Sequence, residues 1–148
     1  MEILNKHSAR LYQIIKRLNA GIALTGAEVK SCKAGRVNFV GAYCSLSADG
    51  AHMMLKNFYI APYAPAKREQ RAYNPYQERV LLLTKQELSF VFGKLKERGI
   101  TIIPLRLYTN RRLVKCEIGI ARGMKKYDKR EKLRKEEFAR RKQRLVSR

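Results

Sequence analysis

The sequence predicts a mainly β domain, an antiparallel barrel with small helices, carrying a basic C-terminal tail. Three observations predict it. From Val37 to Ile60 the apolar residues fall in short, β-prone runs with a turn signal between them, and two alternating strands follow at 103–107 and 114–120. Two Thr-x-x-Glu boxes, at Thr25 and Thr84, open short helices. Apolar periodicity then stops within Gly119–Arg130, GIARGMKKYDKR. Residues 122–148 hold thirteen Lys/Arg against Asp128, Glu131, Glu136 and Glu137, a net +9, which leaves +12 of the formal +21 on residues 1–121. The expected organisation is therefore a body over residues 1–121 and a tail over 122–148.

A length of 148 residues suits about one domain, and 45% hydrophobic content supplies one core. With 33 Lys+Arg against 12 Asp+Glu, the chain repels itself unless it meets a polyanion. No run of about 18 apolar residues is present, and MEILNKHSAR lacks a signal-peptide layout, so a cytoplasmic, monomeric protein with no membrane role is expected. Cys32, Cys44 and Cys116 form no CxxC pair and read as reduced thiols; His7 and His52 are equally isolated. Neither a metal site nor a cofactor is expected.

Taken in order, LYQIIKRLNAGIAL (11–24) is ambiguous. Leu11, Ile14, Ile15 and Leu18 fit a helical stripe, whereas Ile14, Leu18, Ile22 and Leu24 fit one side of a strand. Thr25-Gly26-Ala27-Glu28 is a capping box for a helix closed by Gly35, which gives Glu28 a structural role. Asp49-Gly50 predicts a two-residue hairpin turn between two strands. Residues 61–79 interleave Tyr63, Tyr73 and Tyr76 with Lys67, Arg68, Arg71 and Arg79, a composition for a loop that stacks bases and meets phosphates, and equally for a solvated loop.

Val80–Leu83 reads as a short buried strand. Thr84-Lys85-Gln86-Glu87 opens a helix with Leu88, Val91, Phe92 and Leu95 on one face, ended by Gly99. Ile103, Leu105 and Leu107 alternate on one strand, and Val114, Cys116, Ile118 and Ile120 on the next, with Asn110-Arg111-Arg112 as the turn. Pro104 places an edge or bulge in the first of these. In the tail, Glu131–Lys135, Glu136–Arg140 and Glu137–Arg141 support a helix with Asp128 as N-cap, yet no continuous apolar stripe docks it. A tail that is disordered when free and helical against a polyanion is expected, with a merely solvated basic tail as the alternative.

Many short antiparallel strands with two small helices favour a barrel of the OB-fold type, often used for RNA; a split sheet with helices on one face competes. Nothing resembles an active site: there is no nucleophile beside a base, no paired carboxylates and no phosphate-cradling loop, so a non-enzyme is expected. Residues, order and spacing together then resemble a known family. GIALTGAEVKSCKAGRVN (21–38), IAPY (60–63), LLLTKQEL (81–88), GITIIPLRLY (99–108) and KYDKR (126–130) are similar to the small protein B (SmpB) family, the tmRNA (SsrA)-binding proteins of bacterial ribosome rescue.

The resemblance implies an OB-like barrel whose face holds the tRNA-like domain of tmRNA, and a basic tail ordered in the decoding centre and mRNA channel of a stalled small subunit. It implies tmRNA and the ribosome as partners in trans-translation, with alanyl-tRNA synthetase and elongation factor Tu reached indirectly through tmRNA. It also implies RNA-binding roles for Glu28, Lys30, Ser31, Arg36, Asn38, Leu82 and Lys115. Arg122, Gly123, Lys125, Lys126, Asp128, Lys129 and Arg130 match the family's junction between body and ribosome-directed tail. The chain departs from the family pattern at Ala9-Arg10, at Lys16, Arg17 and Asn19 in place of an acidic cluster, and at Met124. The rival reading is a ribosomal or ribosome-associated barrel without tmRNA specificity, with a nuclease third.

Overall fold

The computed structural model describes residues 1–63, 72–123 and 134–143. Strands β1 (Glu2–Leu4), β2 (Tyr12–Ile22), β3 (Val37–Asn38), β4 (Tyr43–Leu46), β5 (Met53–Lys56), β6 (Tyr59–Ile60), β7 (Arg79–Leu82), β8 (Ile100–Asn110) and β9 (Leu113–Gly123) alternate with helices α1 (Ser8–Leu11), α2 (Gly26–Lys33) and α3 (Lys85–Leu95). A further helix, α4, covers 134–143. Hydrogen bonding runs β8–β4–β5–β7–β2–β9 and returns from β9 to β8, so the six strands close on themselves. The split sheet is thereby excluded: a closed antiparallel barrel with small helices is the OB-like solution that removes sheet edges. Outside the ring, β1 adds to β8 and β3 pairs with β6.

The barrel interior is built from alternate residues. Met53, Leu55, Leu81, Ile102, Leu107, Cys116, Ile118 and Ile120 are at most 1% exposed, and Phe58 and Ile60 join them. The ambiguity over 11–24 resolves as a four-residue helix followed by an eleven-residue strand. The strand wins because β9 offers Leu18 and Ala20, and β7 offers Ile22, a partner and a shared interior, which no isolated helix would. A bulge between Ile14 and Lys16 turns the strand at Ile15.

Both capping boxes form. Thr25 Oγ1 accepts from the Glu28 N–H at 3.2 Å, and Glu28 Oε1 accepts from the Thr25 N–H at 3.1 Å. Thr84 and Glu87 repeat the pattern. In α3, Val91 is fully buried and Leu88 and Leu95 pack on the core. Phe92 does not share that face: it is half exposed, with Lys96 Nζ 4.7 Å from its ring centroid.

Two expected strand details change. β4 and β5 form the predicted hairpin, but residues 47–52 connect them. The Ser47 N–H bonds the His52 carbonyl, Gly50 takes φ +70°, and Asp49 Oδ1 accepts from the Ala51 N–H, so Asp49-Gly50 is the tip of a longer loop. Ile103, Leu105 and Leu107 do not share a face. A bulge lies between Pro104 and Arg106, beside the proline that cannot donate to the ladder. Ile103 and Leu105 therefore join Ala121, Tyr12 and Ile14 in a small outer cluster, while Leu107 enters the barrel. Gly119 permits that cluster: a Cβ there would lie 2.9 Å from Leu105 Cδ1.

Candidate nucleic-acid interface

Register across the barrel wall places residues distant in sequence in one outward-facing row. Leu82 of β7 stands opposite Gly21 of β2, Gly21 opposite Lys115 of β9, and Lys115 opposite Tyr108 of β8. Their neighbours Leu81, Ala20, Cys116 and Leu107 all point into the core, so period-two alternation turns this row outward. Gly21 gives the row its shape. A Cβ at this position would meet Leu82 Cβ at 3.3 Å; without one, Leu82 lies over the strand while staying 57% exposed.

The adjoining row runs Asn19, Glu117, Arg106 and Leu4. Tyr108 Oη donates to Asn19 Oδ1 at 2.9 Å, and the Arg106 guanidinium stacks 4.3 Å from the Tyr108 ring centroid. Glu117 accepts from Arg17 Nη1 at 2.9 Å and from Arg106 Nε at 3.0 Å. Burial raises the Glu117 carboxyl, but the hydrogen bonds and charges of these two arginines bring it below the ordinary glutamate value. Glu2 lies 3.6 Å from Arg106 Nη1, so the two guanidiniums meet two carboxylates and are held in place by them. The wall thus combines an exposed leucine, a tyrosine and oriented cations, a set that can stack on bases and meet phosphates.

Helix α2 begins three residues beyond β2, and a buried network fixes it. Glu28 and Arg79 form an ion pair with N···O of 2.7 Å at side-chain exposures of 2% and 1%. Arg79 also donates to the carbonyls of Phe58 and Pro75 and to Tyr73 Oη, while Tyr73 Oη donates to Glu28 Oε2 at 3.1 Å. For Glu28 the desolvating effect of burial is the largest single influence, yet the Thr25 N–H, the Arg79 hydrogen bond and charge, and Gln77 together lower its carboxyl below the ordinary value. Tyr73 is pushed up to about 12 by burial and by the charge of Glu28. Ser31 Oγ donates to the Ala61 carbonyl at 2.7 Å, and the Arg36 carbonyl accepts from the Ala61 N–H at 2.9 Å. The outer side of this unit carries Lys30, with Nζ 5.4 Å from the Tyr63 ring centroid, and exposed Arg36 and Asn38.

Residues 2–148 match the family described as SmpB protein. The chain belongs to that family. The SsrA-binding protein of Mycoplasmopsis pulmonis is 43% identical over 144 residues, covering 97% of this chain and 94% of that protein. That of Persephonella marina is 41% identical over 136 residues, covering 92% and 87%. A solved structure described as "tmRNA-SmpB: a journey to the center of the bacterial ribosome" aligns with a TM-score of 0.66 at 40% identity, covering 84% of this chain and 85% of that one.

Within this SmpB-family chain the residues singled out from sequence divide three ways. Leu82 and Lys115 share the outward row; Lys30, Arg36 and Asn38 are exposed around α2 and the β3 turn, where Asn38 Oδ1 accepts from the Val40 N–H at 2.9 Å. Glu28 and Ser31 lie inside, bonded to the protein, so they position α2 rather than present a surface. Arg122 and Gly123 end β9 opposite Gln13 and Tyr12, with Arg122 Nη2 3.7 Å from Glu97. Lys125, Lys126, Asp128, Lys129 and Arg130 fall outside the described residues, as do Lys67, Arg68 and Arg71 of the expected base-stacking loop. Tyr73 and Arg79 of that loop are corrected: both are drawn into the Glu28 network.

Sequence reasoning missed Asn19, Tyr108 and the Arg17–Glu117–Arg106 bridge as parts of the wall. Alternation from Leu107 and Cys116 would have turned Tyr108 and Lys115 outward together; the bridge needed the register. Cys32, Cys44 and Cys116 are buried and unbridged. Burial pushes Cys32 and Cys116 up to about 12, with the charges of Glu28 and Glu117 adding to it, and drives Cys44 well above the ordinary thiol value. Among the described residues no group of three metal-ligating side chains converges, and no helix is long and apolar enough to cross a membrane.

Proposed function

We propose that this chain binds the tRNA-like domain of tmRNA and carries it to stalled ribosomes, so that the trapped nascent chain is tagged and released by trans-translation. The observation that carries the reading is the outward row Leu82–Gly21–Lys115–Tyr108 on a closed barrel of the SmpB family, the family in which SsrA-binding proteins fall. The protein acts as a scaffold in the cytoplasm, where ribosomes are, and catalyses no step itself. The division of labour follows the charge: residues 1–121 hold RNA through the barrel wall and α2, and 122–148 serve the decoding centre and mRNA channel. Arg122 and Gly123, at the end of β9, start the tail at the barrel rim; Lys125, Lys126, Asp128, Lys129 and Arg130 continue it. Alanyl-tRNA synthetase and elongation factor Tu are met through tmRNA.

The test is a titration of full-length protein, at fixed near-physiological salt, against the tRNA-like domain, with ordinary tRNA and an RNA duplex of equal charge as competitors. Fixed salt matters because phosphate contacts alone make any RNA a ligand at low ionic strength. A preference of about 10²-fold, near 2.7 kcal/mol, is expected. Equal binding to all three would refute tmRNA specificity and leave a basic ribosome-associated barrel. Deleting 131–148 should change that affinity by only a few-fold and abolish tagging; a loss above about tenfold, roughly 1.4 kcal/mol, would make the tail an RNA clamp instead.

A further inference from the structure

Glu117 stands in the middle of the barrel wall, where a carboxylate facing RNA should repel phosphates. On β9 it lies opposite Asn19 of β2 and Arg106 of β8. Each of its oxygens is taken by a different guanidinium, Oε1 by Arg17 Nη1 at 2.9 Å and Oε2 by Arg106 Nε at 3.0 Å. Fold stability does not account for this bridge. The Arg17 side chain is 63% exposed and that of Arg106 29%, and ion pairs with partners so open to water add little to folding.

What the bridge fixes is direction. Arg17 and Arg106 flank β9 from its two sides, and without an anion between them both cations would turn out into solvent. With it, Arg106 is pinned at Nε, steadied by Glu2 at 3.6 Å from Nη1, and its guanidinium lies 4.3 Å from the Tyr108 ring centroid. The Tyr108 hydroxyl is tied in turn to Asn19, at 2.9 Å. The ring is half-buried and stands opposite Lys115, so it is immobilised while part of it still meets solvent. A ring ordered before binding can stack a base without a further loss of side-chain freedom. Arg17 uses only Nη1 on Glu117. Its other N–H groups bond nothing among the described residues, which leaves an oriented fork of donors for a phosphate.

We infer that Glu117 is a positioning residue for recognition of a folded RNA: it aims Arg17 at a phosphate and, through Arg106, holds the Tyr108 ring as a platform for one base, without touching RNA itself. The inference rests on the reading of this wall as the surface that binds the tRNA-like domain, and adds which of its side chains governs specificity. Simple charge counting gives the opposite sign. Were Glu117 only an anion on an RNA surface, neutralising it would strengthen binding to every RNA.

The test is full-length Glu117→Gln in the competition titration described above, at the same fixed salt. Affinity for the tRNA-like domain should fall about tenfold, the order expected when side chains held in advance must instead be ordered on binding. Affinity for the duplex of equal charge should hold or rise. In NMR spectra of the free protein, the Arg106 side-chain signals displaced by the Tyr108 ring current should move back toward ordinary arginine positions. Arg106→Lys, at a partly exposed site, keeps the charge but not the planar fork, and should lose the preference in the same way even if Glu117→Gln folds poorly. Tighter binding of Glu117→Gln to all three RNAs, or a preference unchanged in both variants, would overturn the inference. A wild-type protein without preference would remove the functional reading and this inference with it, whereas a wild-type preference that survives both substitutions would refute only the role of Glu117.

Discussion

Replacing Arg79 by Met separates a structural role for the EVKS segment from a direct RNA contact. Arg79 is 1% exposed at its side chain, and Met fills much of the same volume while removing bonds to Glu28, Phe58, Tyr73 and Pro75. Glu28 would then keep its Thr25 and Tyr73 donors but lose its countercharge at 2% exposure. Removing one partner of such a buried pair costs about 3–5 kcal/mol, a large share of the ~5–15 kcal/mol that holds a domain together. Urea unfolding of the full chain at pH 7, read by far-UV circular dichroism, should show that loss. Glu28→Gln with Arg79→Met should cost clearly less than the sum of the single changes, because the double variant strands no charge.

The pH dependence has a definite sign. Glu28 titrates below its unfolded value, so its contribution is complete above about pH 4.3, the ordinary glutamate pKa, and is lost as pH falls through the lower folded value. Glu28→Gln should flatten the acid limb of the stability curve. With protein fully folded, Arg79→Met and Glu28→Gln should weaken RNA binding to similar extents, since both act through α2. An Arg79→Met cost below about 1 kcal/mol, against the ~3–5 expected, would refute the buried-pair reasoning, and loss of RNA binding in Glu28→Gln alone would show the carboxylate touching RNA.

Other substitutions test the wall and the core. Lys115→Ala should leave the urea midpoint unchanged and reduce the salt slope of RNA binding by about 1, the signature of one lost phosphate contact. Gly119→Ala should destabilise by about 1–3 kcal/mol in the same urea assay, because its Cβ would press on Leu105 Cδ1 at 2.9 Å. The three thiols should react with a disulfide reagent at pH 8 far more slowly in the native protein than in urea, since all are buried and held protonated.

What was legible in the sequence is what depends on neighbours along the chain. The capping boxes at Thr25 and Thr84 span four residues each, and the strand alternation of Val114–Ile120 needs no partner to be seen. β1 was not legible: three residues pair with β8 across about a hundred positions of sequence, and no local pattern announces so short an edge strand. The face of Leu105 was lost to a bulge that shifts register by one residue, the smallest change that inverts a strand's sides. Likewise the 61–79 composition could not distinguish an arginine aimed at phosphate from Arg79, whose partner lies 51 residues earlier in α2.

Charge alone is therefore a poor map of the interface, although it correctly identifies the class of partner. Arg79 is sealed inside, Arg17 and Arg106 share Glu117, and Lys94 and Arg122 both reach Glu97. Lys115 has no such ion pair among the described residues, and it stands in a row with Gly21 and Leu82 that only the closed barrel assembles. Its neighbours set its contribution. An exposed leucine and a stacked Arg106–Tyr108 pair beside one unpaired cation give shape and apolar contact, whereas residues 122–148 bring a net charge of +9. On the proposed reading, specific recognition of a folded RNA comes from the first, and salt-dependent attraction to any RNA from both. Raising the salt should accordingly narrow the protein's ligands toward those that fit the wall and weaken the affinity added by residues 131–148 more steeply than the affinity of the barrel.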